Sequence, residues 1–121
     1  MGREVVMNKQ SKLASLVTDL DILGQNIEVS YLEEVLMDGE ECYGLARFDT
    51  QEILIQDIPT MTYESKLKHL THEIFEHIND KMEMDLTHPQ ITQLEMAVFY
   101  VLRHNPNLCK AFTLYRGKKE S

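Results

Sequence analysis

A chain of 121 residues, 43% hydrophobic and 26% charged, is the size of one domain with one core and has the composition of a folded globular protein. Its formal net charge of −8 repels phosphate backbones. The only basic clusters are Lys66/Lys68 and the tail Arg116, Lys118 and Lys119, so no nucleic-acid partner is expected. No apolar run approaches a membrane span, and the first ten residues are too polar for a signal-peptide core. Two distant cysteines, Cys42 and Cys109, are too few for a disulfide framework and read as buried free thiols in a reducing cytoplasm. Residues 1–10 and 116–121 are expected to be a flexible leader and tail around a single domain, with no membrane partner.

In chain order, Leu13, Leu16, Val17 and Leu20 recur at helical spacing and predict a short helix. Ile27, Val29 and Tyr31 then alternate with polar residues, predicting a strand after a turn at Gly24-Gln25-Asn26. The Asp38-Gly39 pair marks a second turn. Residues 42–48 (CYGLARF) and 52–58 (EILIQDI) read as two strands of a hairpin. From about Thr62 to about Met82, the residues Tyr63, Leu67, Leu70, Ile74, Phe75 and Ile78 make an apolar stripe with a period near 3.6, predicting a long helix. Thr87 with Gln90 fits a capping box and Pro89 suits a first helical turn, so a second long helix starts there. Its apolar face is expected to be Ile91, Leu94, Ala97, Val98, Val101 and Leu102. Pro106 disfavours helix at Asn105, and a short last helix follows. The order predicts an α+β domain: a small antiparallel β-sheet, then two long helices.

The chemistry-bearing stretch is LTHEIFEHIND, residues 70–80. Helical residues four apart are separated by about 400° and stack on one face, so His72 and Glu76 point the same way. His77, five along, is displaced by about 140° and cannot share a ligand with His72. One imidazole and one carboxylate are both zinc ligands, and a catalytic zinc ordinarily has three protein ligands and one open position. His88, where the second long helix begins, is the candidate third ligand if the chain turns back on itself. Glu73, beside a ligand, is placed to take a proton from a metal-activated water. Glu95 is the main alternative third or fourth ligand, or an acceptor for a histidine N–H. His69 is expected to support the site from nearby or to lie on a solvated surface marked by Lys66 and Lys68. His77 is expected to be a partly exposed helix residue, Asn79 and Asp80 to face solvent, and Met82 and Met84 to fill gaps in the core or a loop. Tyr100 and His104 are weighed as oxyanion donors against helix-end packing.

Three strings together carry a resemblance. YGLARFDTQEILIQD (residues 43–57), LTHEIFEHIND and VLRHNPNL (residues 101–108) resemble, in that order, the small zincin-type, minimal gluzincin-like metallopeptidases of phages and bacterial mobile elements. The likeness spans residues from about 20 to 110. It implies a zincin-like minimal fold, one zinc ion and a bacterial cytoplasm. It matches His72 to the family's first histidine ligand and Glu73 to its catalytic glutamate. Glu76 stands at the family's second histidine and His88 at its acidic third ligand. The chain thus departs twice, and the two departures keep the number and kinds of ligand. The resemblance also implies that the strand Glu52, Ile53, Leu54, Ile55 and Gln56 is an edge strand that pairs with an extended peptide. Its implied function is a zinc-dependent peptidase with a narrow protein substrate. A non-catalytic interaction module and a structural metal domain with four protein ligands are the alternatives.

Overall fold

The structure is a computed structural model that describes residues 11–117. The expected flexible leader, and the expected tail from residue 118 on, lie outside the described residues. The chain folds as an α+β domain. A five-residue helix α1 (Lys12–Leu16) leads into strands β1 (Asp19–Ile22) and β2 (Gln25–Leu32). A two-stranded ribbon follows, β3 (Leu36–Met37) with β4 (Glu40–Glu41), and then the hairpin β5 (Gly44–Arg47) and β6 (Glu52–Gln56). Three helices complete it: α2 (Tyr63–Lys81), α3 (His88–His104) and α4 (Pro106–Gly117). No helix among the described residues is long and apolar enough to cross a membrane.

The main sheet has the order β1-β2-β6-β5. Two of its pairs are antiparallel, but β2 and β6 run parallel, with Val29 opposite Ile53 and Tyr31 opposite Ile55. The alternation in β2 sends Ile27 and Val29 into the core, where Leu13, Ile22, Ile53, Ile55 and Leu70 meet them. Helix α2 lies on that face through Leu67, Leu70, Ile74 and Ile78. Its predicted stripe therefore holds for these four; Tyr63 is exposed, and Phe75 is half-buried outside this core cluster.

The first turn sits one residue earlier than the sequence suggests. Leu23 (φ 53) and Gly24 (φ 89) form it, and Gln25 and Asn26 pair with Ile22 and Asp21. Two consecutive residues at positive φ match the twist of a tight hairpin. Leucine is a poor residue there, with a penalty of about 1–2 kcal/mol. The Asp21 carboxylate offsets it by accepting a hydrogen bond from the Gly24 N–H at 2.8 Å. Asp38 (φ 54) and Gly39 (φ 82) make the predicted second turn.

Lys66 is not a solvated marker. It is buried, and its Nζ meets Asp57 Oδ1 at 2.5 Å, tying the first turns of α2 to the end of β6. The thiols also differ from expectation: both are free, but Cys42 is half-buried and Cys109 exposed. Helix α3 buries Ile91 and Glu95, whereas Leu94, Val101 and Leu102 of its expected apolar face remain exposed.

Candidate metal centre

Helix α2 starts where Thr62 Oγ1 accepts a hydrogen bond from the Ser65 N–H at 3.0 Å. It runs 19 residues without a glycine or proline, so the relative directions of His72, Glu73 and Glu76 are set by helix geometry alone. After Lys81 the chain reverses. Glu83 (φ 51) and Asp85 (φ 60) take left-handed conformations that turn it back along α2. The Asn79 side chain holds this reversal: its Oδ1 accepts from the Leu86 N–H at 2.9 Å and its Nδ2 donates to the Leu86 carbonyl at 3.5 Å. Asn79 is therefore half-buried and engaged rather than facing solvent, while Asp80 is exposed as expected. Met82 and Met84 are exposed in the loop.

The reversal delivers the first turn of α3 to the middle of α2. Thr87 and Gln90 form the predicted capping box, with Thr87 N–H donating to Gln90 Oε1 at 2.9 Å and Gln90 N–H to Thr87 Oγ1 at 3.3 Å. This cap fixes the helix start, and His88 is the first residue after it. His72 Nε2 lies 3.2 Å from Glu76 Oε2, and His88 Nδ1 lies 3.6 Å from the same oxygen. One ligand atom from each of the three residues lies within 4.8 Å of the others. Tetrahedral zinc, with ligands about 2.0–2.2 Å away, separates its ligand atoms by roughly 3.3–3.6 Å. The three residues thus converge nearly to ligand spacing, and the donor set of two imidazoles and one carboxylate fits a divalent zinc-like ion. The His88 side chain is 72% exposed, so its imidazole has open space around it in which to complete the approach.

Glu95 is buried and faces the other side of His72, with Oε1 3.4 Å from Nδ1. A carboxylate at Nδ1 favours the proton on that nitrogen and leaves the Nε2 lone pair toward Glu76 and His88. Glu95 thus orients His72 and does not stand on the ligand side of its ring.

Glu73 is buried beside the cluster, and its carboxyl pKa is raised to about 8. Burial is the largest cause, followed by the negative charges of Glu76 and Glu95. Its pocket is made by a glycine. A Cβ on Gly44 would fall 2.9 Å from Glu73 Oε2 and 3.1 Å from its Cγ. Gly44 has no positive φ, so space for Glu73, not backbone conformation, is what requires it. Sequence reasoning placed Gly44 in a strand but not at the site. Glycine inside a strand signals a close approach, which was the available clue.

Around these groups runs a cleft of about 730 Å³, walled by β5 and the α2–α3 pair. His69 lines it, stacked on Tyr43 with ring centroids 4.7 Å apart, so it belongs to the cleft and not to a solvated surface. Its pKa is lowered by burial first, then by His72 and Lys68, which keeps the ring neutral at pH 7. Cys42 also lines the cleft, but burial and Glu73 push its thiol pKa up, away from a thiolate nucleophile. Tyr100 and His104 stack on each other at 4.0 Å and His104 Nδ1 meets the Tyr100 carbonyl, as helix-end packing requires; neither lines this cleft.

Two expectations are corrected. His77 is excluded from the cluster as helix geometry requires, but it is fully buried rather than partly exposed. It reaches the sheet, where Nε2 donates to the Glu52 carbonyl at 2.9 Å and the ring meets Phe48 edge-on. The strand Glu52–Gln56 is not an edge. It is β6, paired with β2 on one side and β5 on the other, so its backbone groups are already used. Among the described residues, the edge of the sheet beside the cleft is β5, from Gly44 to Arg47.

Comparison with protein-family models, with curated proteins and with solved structures returns no match. The chemical reading therefore rests on the geometry above.

Proposed function

We propose that this chain is a metal-dependent hydrolase of the zincin type, cleaving a peptide bond in a narrow set of protein substrates. The observation that carries the proposal is the convergence of His72, Glu76 and His88, with the buried carboxyl of Glu73 at their side. A zinc ion held by the two imidazoles and the Glu76 carboxylate would supply a Lewis acid and lower the pKa of water. Glu73 is the group placed to take a proton and return it to the leaving amine; a cation held beside it would offset the burial and the charges of Glu76 and Glu95 and leave its carboxylate free to accept. Glu95 holds the His72 ring through Nδ1. The β5 edge offers unpaired backbone groups to an extended substrate, taking the place first expected of Glu52–Gln56. The resemblance to phage-encoded zincins supports a bacterial cytoplasm as its place of action.

Metal analysis of the purified chain in non-chelating buffer is the first test, and near-stoichiometric zinc is expected. Glu73→Gln should keep the metal and abolish cleavage of the chain's protein substrate. Full retention of function by that variant would favour the non-catalytic interaction module. A structural metal domain needs a fourth protein ligand, and Glu95, the candidate weighed for that place, lies on the opposite nitrogen of His72. That placement supports an open coordination position over a closed one.

A further inference from the structure

The last helix departs from the rest of the fold. Helix α4 packs on α3 and, among the described residues, makes no substantial contact with any other element. Leu108, Phe112 and Tyr115 recur at i, i+4 and i+7, one face of a helix. Yet Phe112 is 65% and Tyr115 76% exposed. A twelve-residue helix is marginal by itself, and its stability ordinarily comes from burying such a stripe. The same end of the molecule carries an apolar groove of about 480 Å³ between α2 and α3. Tyr63, Leu67, Thr71, Phe99, Leu102 and Cys109 line it, together with the Glu64–Arg103 ion pair. The stripe and the groove are thus neighbours, both uncovered.

We infer that the groove and the α4 stripe form a two-fold interface between two copies of this chain, each copy laying its α4 over the groove of the other. A self-complementary pairing needs donor and acceptor surfaces at the same end of one molecule, which is the arrangement here. Charge selects the occupant. Residues 106–121 carry Lys110, Arg116, Lys118 and Lys119 against one acid, Glu120, while residues 1–105 hold nineteen acidic and eight basic side chains. The basic C-terminal segment of one copy, to which α4 contributes Lys110 and Arg116, is therefore attracted to the acidic body of another. An anionic membrane would attract the helix too, but it would repel the acidic body that comes with it. The inference does not depend on metal or catalysis.

Light scattering on the full chain after size exclusion tests this, since the monomer mass is 14.1 kDa. A doubled mass at micromolar concentration is expected, dissociating as salt rises. Phe112→Glu in the stripe and Leu102→Glu in the groove should each return the mass to that of the monomer. Both positions are exposed, and an unchanged thermal melt of the sheet-and-α2 core guards against misfolding as the cause. A chain that stays monomeric into the millimolar range overturns the inference. So does a dimer indifferent to both substitutions, or a monomer that binds phosphatidylglycerol vesicles through Phe112.

Discussion

The two faces of α2 use the same residue types for opposite ends. On the sheet face, Lys66 and His77 are buried, one paired with Asp57 and the other bonded through Nε2 to the Glu52 carbonyl, while His77 Nδ1 has no partner among the described residues. On the cleft face, His72 and Glu76 are half-buried, lie 3.2 Å apart and are approached by the exposed ring of His88. A polar group used for structure is enclosed until its partner is the only one it can reach. A polar group available for a ligand keeps an open side. His72 and His77 differ by five positions, and that rotation alone sends one to each face.

The largest effect expected from this contrast is on the sheet face. His77→Ala removes a fully buried ring and leaves the Glu52 carbonyl without its donor. The combined loss should be about 3–5 kcal/mol, read in a denaturant melt. Zinc affinity of the fraction that folds should change little. His72→Ala should do the reverse, abolishing stoichiometric zinc binding while the melt of the metal-free protein barely moves. If both substitutions weaken both properties alike, the division between faces is wrong.

Glu73 gives the next effect, and its sign is fixed. Its folded-state pKa is about 8 against an ordinary 4.5, so the folded form holds the proton more tightly. Its contribution to the stability of the metal-free protein should be greatest below pH 4.5 and be lost as pH rises toward about 8. The change is at most a few kcal/mol, because Glu76 and Glu95 share the local charge. Glu73→Gln should flatten this part of the profile and stabilise the metal-free protein at pH 8. An unchanged profile in that variant would place the dependence elsewhere.

Gly44→Ala tests the wall behind that carboxyl. The added methyl meets Glu73 Oε2 at 2.9 Å, a clash expected to destabilise by about 1–3 kcal/mol. In a Glu73→Ala background the same change should be nearly free. A double-mutant cycle that closes additively would show that Gly44 and Glu73 do not share the space.

How legible this was depended on the range of the interaction. The helix ends, the Thr87 capping box and the convergence of His72, Glu76 and His88 follow from local spacing plus one chain reversal. The α+β class followed from element order. The parallel pairing of β2 with β6 did not, because its register joins Glu28 to Glu52 across an intervening ribbon and strand. Without it, Glu52–Gln56 read as an edge, whereas the edge is Gly44–Arg47. Burial of His77 and Lys66 was hidden for the same reason: both meet partners on strands, and helix periodicity reports only which way a side chain points. Leu23 at positive φ was hidden by its own chemistry, since nothing in leucine marks a turn.

Asn79 supplies the smallest predicted effect and the one most specific to the site. It contacts no candidate ligand; it grips both backbone groups of Leu86, two residues before His88. Asn79→Ala should lower stability by about 1 kcal/mol, the usual worth of such a bond on a half-buried loop. Its effect on zinc should exceed that, because His72 and Glu76 are fixed by one continuous helix whereas His88 is placed only by the reversal that Asn79 holds. Loss of groups that orient ligands lowers metal affinity about 10–100-fold. Titration of zinc against Asn79→Ala and against Glu95→Gln separates the two supports. Glu95 acts on the tautomer and tilt of His72, whereas Asn79 acts on the position of a backbone, so the two losses should add in the double variant. An Asn79→Ala protein with wild-type affinity would mean that the capping box alone places His88.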